Sequence, residues 1–526
     1  MSGRITKILK FASWFGLAWL GLAYLTWPFG RDQGIFAWVG DTILRGGVPY
    51  KDAWDVKGPA THLLFALSQA LFGRNPWGLR LLDLGLLALC LFSMRRIVRV
   101  LGERPSSWGA ALFLGLYLGG NYWNTGQPDG WAAMLLIVAL GVALAPAFPE
   151  RQRLQILVGA ILGAIFLLKT IFALLAVPIG FYLILQKPRR PGRVLGSAAI
   201  LIGSFCLPLV AILSWFALHG ALGDFIQEQV AFNLGVHSAA HAWTLVGHAK
   251  KMMELMLGNP ASVICLPFLA FGLLDLRRRN RAACTLLIGE MFMCALMAPL
   301  QNKYYYYHWI PFLALECLAV GWGVSRALYL ARRAAARPND VPIASMLTWL
   351  TRFAIVPALM MAFLNPALQA VRLAAKETGL IDRDHYLKIY GEYGKGDFSY
   401  RADVMAAQYL ETHSGPGDTV LVWGFEPIVN YLADRRSPTR FGFHYPLTRG
   451  VHNPFEVAYR REFMEKLAQE PPLYIMVVDF DQNNLQPLSS KELLQQFVEL
   501  KNFVEKNYRL ETVIEHFELW RRSRER

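Results

Sequence analysis

"RDQGIFAWVGDTILRGGVPYKDAWDVKGPATH", residues 31–62, follows directly on an apolar stretch of about residues 11–29. It carries four aspartates, two lysines and two tryptophans, and it contains a Gly-Pro step. The apolar stretch before it is long enough to cross about 30 Å of hydrocarbon. That stretch runs into Gly30, Arg31 and Asp32 rather than a small-residue cleavage site. It therefore reads as a retained helix and not as a cleaved signal peptide. The charged stretch marks where the first span leaves the lipid, and the side on which it lies sets the topology of everything after it.

The composition agrees. The chain has 526 residues, of which 54% are hydrophobic and 17% charged. Soluble domains carry roughly 25% charged residues. The net charge is +15, from 53 Lys and Arg against 38 Asp and Glu. The basic residues gather in short loops between apolar runs, so they answer to orientation in a bilayer rather than to nucleic acid. Cys90, Cys206, Cys265, Cys284, Cys294 and Cys317 all fall inside apolar runs without metal-site spacing. That argues against a disulfide framework and against zinc. The GxxxxGK pattern is absent, which leaves ATP-driven transport without support.

The positive-inside rule orients the spans. "MSGRITKILK" places the N-terminus in the cytoplasm and the aspartate-rich stretch outside. The apolar piece 60–72 is too short to cross, and a crossing there would put "RRIVR" outside, so it reads as a helix at the outer surface. Spans follow at about 77–94 and 108–119, then one after "GGNYWNTGQPDGW" and two that turn at Lys169. A seventh covers about 194–218, three more lie between residues 260 and 326, and an eleventh covers about 343–363. This reading puts the basic loops 95–104, 150–153, 187–193, 277–281 and 326–337 inside. Residues 1–365 form the membrane domain, with external loops at 30–76, 120–130, 219–259 and 301–308. Residues 366–526 change character. "TVLVWGF" and "LYIMVVDF" are strand-length apolar runs separated by helical patterns, which predicts a small external α/β domain.

The external side then holds Asp32, Asp55, Lys57, Asp129, Lys169 and Lys303 at headgroup depth. Residues 35, 36, 39, 43 and 44 are apolar at helical spacing, so an amphipathic helix suited to a membrane surface is predicted, with Asp32 at its N-terminus. Capping alone accounts for an aspartate there. Snorkelling accounts for Lys57, and an interfacial aromatic belt accounts for the run of tyrosines at 304–307. Each is adequate singly; two acids and several lysines on one side call for more.

These residues resemble the membrane glycosyltransferases of the GT-C fold, in the bacterial branch related to the lipid A aminoarabinose transferase and the protein O-mannosyltransferases. The likeness lies in an acid after the first span, the "PYKD" segment, a lysine just before "GPATHLLFALSQALFG", the acid of "NTGQPDGW", and the later stretches "FLLKT" and "KYYYYHWIPF". It covers about residues 9–325 in order. Here Gln33 follows the first acid where relatives often have a second acid, and Lys-Gly-Pro replaces Lys-Pro-Pro. The missing second acid argues against a metal more than against catalysis. The resemblance implies a polyprenyl-phosphate sugar as donor and inverting transfer on the outer face of a bacterial inner membrane. The acceptor would be a cell-envelope lipid, polysaccharide or protein. It implies Asp32 as base and Asp129 as a second catalytic acid. Lys57, with Lys169 or Lys303, would hold the donor phosphate, and Asp55, Tyr306 and His308 would line the substrate site. The resemblance makes no cofactor certain beyond the polyprenyl-phosphate sugar that serves as donor substrate, and it leaves room for a divalent metal that the residues do not support. A flippase for lipid-linked sugars would show mid-bilayer charges or broken helices in paired halves. An inactive envelope scaffold would leave Asp32 and Lys57 dispensable.

Overall fold

The computed structural model describes residues 15–102, 107–186, 191–237, 244–337, 341–392, 398–450, 453–483 and 486–523. The N-terminal basic segment, Arg104 and the basic residues of 187–190 lie outside them. The chain runs α1 Phe15–Leu25, α2 Arg31–Leu44, α3 Pro59–Phe72, α4 Pro76–Val100, α5 Trp108–Gly119, α6 Asn121–Asn124, α7 Pro128–Ala143 and α8 Gln152–Leu168. A 3-10 turn, Thr170–Leu175, leads into α9 Ala176–Leu185, α10 Pro191–Leu218 and α11 Leu222–Ile226. A π-helical segment, Gln227–His237, precedes α12 Leu245–Leu257, α13 Pro260–Arg279, α14 Arg281–Leu300, α15 Tyr306–Ala335 and α16 Val341–Glu377. The remainder is α17 Arg383–Lys388, β1 Gly391–Glu392, β2 Phe398–Ser399, α18 Tyr400–His413, β3 Val420–Trp423, α19 Ile428–Ala433, α20 Glu456–Gln469, β4 Tyr474–Val478, α21 Ser490–Gln496, α22 Val498–Asn507, β5 Tyr508–Ile514 and β6 Phe517–Arg522.

Contacts divide the chain into two units. The span unit holds Met1–Tyr24, Arg80–Leu213 and His241–Ala370. The sheet unit holds Leu25–Leu79, Ser214–Ala240 and Val371–Arg526. In the span unit α10, α13, α14, α15 and α16 are long and apolar enough to cross a membrane by themselves. Five shorter apolar segments and the 25-residue α4 occupy the other positions read as spans. The protein is an integral membrane protein. Glycines let α13 and α15 approach closely: a Cβ at Gly272 would stand 2.4 Å from Ala319 O, and one at Gly323 would stand 2.1 Å from Phe268 O. Small residues at such crossings are how membrane helices gain van der Waals contact where lipid supplies no hydrophobic drive.

α4 buries two charges, Arg80 and Asp83. Asp83 accepts from Tyr117 Oη at 2.8 and 2.9 Å, from Trp131 Nε1 at 2.7 Å, and from Tyr24 Oη. Arg80 donates to Thr125 O and Oγ1 at 3.1 and 3.0 Å and to Tyr122 O at 3.1 Å. Buried ionic groups are tolerated when fully paired. This pair ties α4 to the end of α5, to the 120–127 loop and to the first turns of α7.

In the sheet unit the order is β3-β4-β6-β5, with β3 parallel to β4 and the other pairs antiparallel. The 489–508 pattern, which reads as one helix, breaks at Phe497 into α21 and α22. Asp32 is not the cap of α2. Gly30 is the N-cap, its N–H donates to Gln33 Oε1 at 2.8 Å, and Asp32 lies in the first helical turn. Nor does α2 present one apolar stripe to a membrane surface: Gln33 through Gly40 are all buried. The helix is enclosed by α19 and α3. A Cβ at Gly34 would stand 2.7 Å from Ile428 Cβ, and one at Gly40 would stand 2.9 Å from Ala66 N.

Two outcomes test this fold. Gly34→Val should cost about 1–3 kcal/mol through overpacking, read as a lowered Tm, and Gly34→Val with Ile428→Ala should recover part of it. For topology, a cysteine at exposed Glu499 should react with a membrane-impermeant thiol reagent on intact cells while one at Ser2 should not. Labelling of position 2 alone would invert the orientation.

Candidate active site

The stretch that follows α1 supplies the candidate residues of the sheet unit. Arg31 is buried and paired with Glu426, Nε to Oε1 at 3.0 Å and Nη2 to Oε1 at 2.9 Å. Its guanidinium carbon lies 5.7 Å from the Phe398 and Phe425 ring centres. Asp32, the next residue, is half-buried. Phe36 stands one turn further along α2, on the same face. Lys57 Nζ lies 5.8 Å from the centre of that ring, a cation–π distance. The fold thus delivers Lys57 to the first turns of α2, where Asp32 is. The peptide before α3 holds it there, since Tyr50 Oη donates to Lys57 O at 2.7 Å.

Asp55 is buried. It accepts from Val56 N at 2.7 Å and bonds His62 Nε2 at 2.8 Å. That places it as a brace of the Lys57 loop rather than as an open carboxylate. His62 was not picked out by the sequence reading. It sits on α3, five residues after Lys57, and a histidine at helical spacing in an apolar run gives no signal by itself.

The span unit builds the other groups. α7 starts on Pro128, whose ring is preorganised for a first helical position. Asp129 follows, buried. Lys169 sits at the end of α8, where the chain turns into the 3-10 segment. Its Nζ lies 3.3 and 3.4 Å from the two Asp129 oxygens and 5.9 Å from the Phe172 ring centre. Lys303 is buried, and its carbonyl bonds His308 Nδ1 at 3.0 Å. Tyr306 Oη donates to Leu116 O at 2.9 Å, at the end of α5. The Tyr305 and Tyr307 rings stack at 5.5 Å. Asp129 and Lys169 therefore meet directly, and Lys303, Tyr306 and His308 stand at or just before the start of α15. Among the described residues no group of three or more His, Cys, Asp or Glu is arranged to hold a metal ion.

With the geometry in place, the comparisons are informative. Residues 56–215 match the family described as dolichyl-phosphate-mannose-protein mannosyltransferase. A comparison with curated proteins finds no match. The structure resembles ArnT from Cupriavidus metallidurans bound to undecaprenyl phosphate, with a TM-score of 0.61 and 13% identity over 98% of each chain. It also resembles the apo state of that protein, with a TM-score of 0.58 and 12% identity over 99% of this chain and 98% of the other. This is a GT-C fold. The GT-C likeness runs the whole length of the chain, sheet unit included, although the family match ends at residue 215. The matched residues include Lys57, Asp129 and Lys169.

One further acid stands out from the GT-C sheet unit. Glu228, in the π-helical segment, is buried and accepts from Tyr459 Oη at 2.9 Å and Arg440 Nη1 at 3.4 Å. Burial lifts its carboxyl to about 8, against the opposing pull of Arg440. The folded chain keeps this proton where an unfolded glutamate near 4.5 has lost it. Folded protein then binds more protons than unfolded between about pH 4.5 and 8, and stability falls as pH rises through that window. Glu228→Gln should remove the effect, so its Tm advantage over the parent should widen from pH 5 to pH 8. An equal gap at both pH values would mean that Glu228 is ionised in the fold.

Proposed function

We propose that this chain is an inverting glycosyltransferase that moves a sugar from a polyprenyl-phosphate donor to a cell-envelope acceptor on the outer face of the inner membrane. The observation that carries the reading is the family match across residues 56–215, which takes in Lys57, Asp129 and Lys169, within a GT-C fold. The chemistry suits the groups present. An acceptor hydroxyl or amine attacks the anomeric carbon, and the bond from that carbon to the phosphate oxygen breaks. The electron pair leaves on the polyprenyl phosphate, and the configuration inverts.

Phosphate is already a good leaving group, so the chain needs cations to hold it and a carboxylate to take the acceptor's proton. Lys57 supplies a cation at the lipid-facing loop. Asp32, one turn from Phe36 and the lysine above it, supplies the base. Lys169 offsets the charge of Asp129, which suits that acid to orienting an acceptor rather than to removing its proton. Lys303, Tyr306 and His308 line a substrate surface at the start of α15. The donor sugar and the acceptor are to be found by mass spectrometry of envelope lipids and glycans after gene deletion.

Transfer from a polyprenyl-phosphate sugar by purified variants tests the roles. Asp32→Asn keeps size and polarity and should lose about 10²–10⁴-fold in turnover with donor binding largely intact. Near-normal turnover would move the base to Asp129. Lys57→Ala should lose roughly ten- to a hundredfold through one charge-assisted contact, and Lys57→Arg should retain part of it.

A further inference from the structure

A groove in the span unit lies outside everything assigned above. Val177, Phe181 and Leu185 stand at i, i+4 and i+8 along α9, and all three are exposed. Opposite them, Arg281, Thr285 and Phe292 follow one face of α14. Pro178 and Gly289 meet at the floor, where a Cβ at 289 would stand 3.1 Å from Pro178 Cβ. The space between the walls is about 770 Å³, within the range of sites that hold an organic ligand.

One end of the groove is charged. Arg277 and Arg281 line it and are both exposed, and neither has an ion-pair partner among the described residues. The nearby acid, Asp275, is engaged already, by Arg279 Nε at 3.1 Å and Arg326 Nε at 3.1 Å. An apolar trough that ends in two unneutralised guanidiniums complements a hydrocarbon chain that ends in an anion. The arginine end is not the donor end. α14 has 20 residues, about 30 Å at 1.5 Å per residue, and Lys303 follows its far terminus.

We propose that this groove binds an anionic diacyl phospholipid, its acyl chain between α9 and α14 and its phosphate on Arg277 and Arg281, in the leaflet opposite the transfer site. Basic pockets between membrane helices on the inner side select lipids of this charge. A zwitterionic lipid brings its own cation and gains less from the pair. The groove and its occupant need only that the chain spans the membrane; the leaflet assignment alone rests on the proposed function.

The test uses the full chain in nanodiscs of phosphatidylcholine with phosphatidylglycerol, repurified in mild detergent, with retained lipid counted by mass spectrometry. The parent should retain phosphatidylglycerol over phosphatidylcholine by about tenfold or more, as expected of charge-assisted contacts. Arg277→Gln with Arg281→Gln should lose that preference, and Arg278→Gln, outside the groove, should keep it. If the double variant fails to fold by size-exclusion chromatography, Thr285→Trp decides: it leaves both charges, fills the trough from an exposed position, and should lose the lipid. Equal retention of the two lipids by the parent, or unchanged retention in the folded groove variants, would overturn the proposal.

Discussion

The guanidinium of Arg31 is the constraint on which the sheet unit depends. Removing a charge from water costs several kcal/mol, so the first turn of α2 can fold only where a carboxylate waits for it. Glu426 supplies that carboxylate from the turn after β3, 395 residues along the chain. Losing one partner of such a pair costs about 3–5 kcal/mol because the other charge is left buried. Asp403 and Asp481 are buried in the same surroundings, and burial pushes the carboxyls of Asp403, Glu426 and Asp481 all upward against the pull of Arg31. The three carboxyls thus hold protons more tightly than exposed ones do. Its consequence for the site is positional: Asp32 follows Arg31 directly, so the C-terminal strands determine where the candidate base stands.

Both candidate acids lie in the first turn of a helix, one in each unit. Asp129 has a lysine across both oxygens and sits at the start of a helix, where the dipole also favours its charge. Asp32 shares the helix-start advantage, and Lys57 Nζ lies 5.8 Å from the ring centre of Phe36, one turn along the same helix. A cation at that distance from an aromatic ring is attracted to its face.

The long apolar helices were legible because hydropathy is a long-range signal. α5 covers residues 108–119 as read, and the turn at Lys169 falls where two apolar runs meet. β3 and β4 were legible as apolar runs. β5 and β6 were not: "YRLETVIEHFELWRR" alternates charge with apolar residues and never forms a run, and its pairing with β4 is a tertiary fact. The cap of α2 was misplaced because a glycine with a glutamine three residues on does the work that an aspartate usually does. The amphipathic reading of α2 failed for a related reason. A helix enclosed on two sides needs glycine where a neighbour comes closest, and Gly34 and Gly40 register as neither apolar nor polar in a periodicity count.

Arg80 and Asp83 show what an apolar span gives up to hold a site. Placing charges inside a span is costly, and such residues are rare in membrane segments unless they are paired. α4 carries both, and Asp83 accepts from the hydroxyls of Tyr24 on α1 and Tyr117 on α5 and from the indole of Trp131 on α7. One of them, Trp131, is two residues from Asp129. Tyr117, a second, also accepts from Gly126 N at 3.0 Å, which fixes the loop that leads into α7. The buried aspartate thus anchors the first turn of the helix that presents Asp129, as Arg31 anchors the first turn of the helix that presents Asp32. In both units a charge removed from solvent, and unable to move without losing its partners, fixes the helical turn that carries a candidate acid.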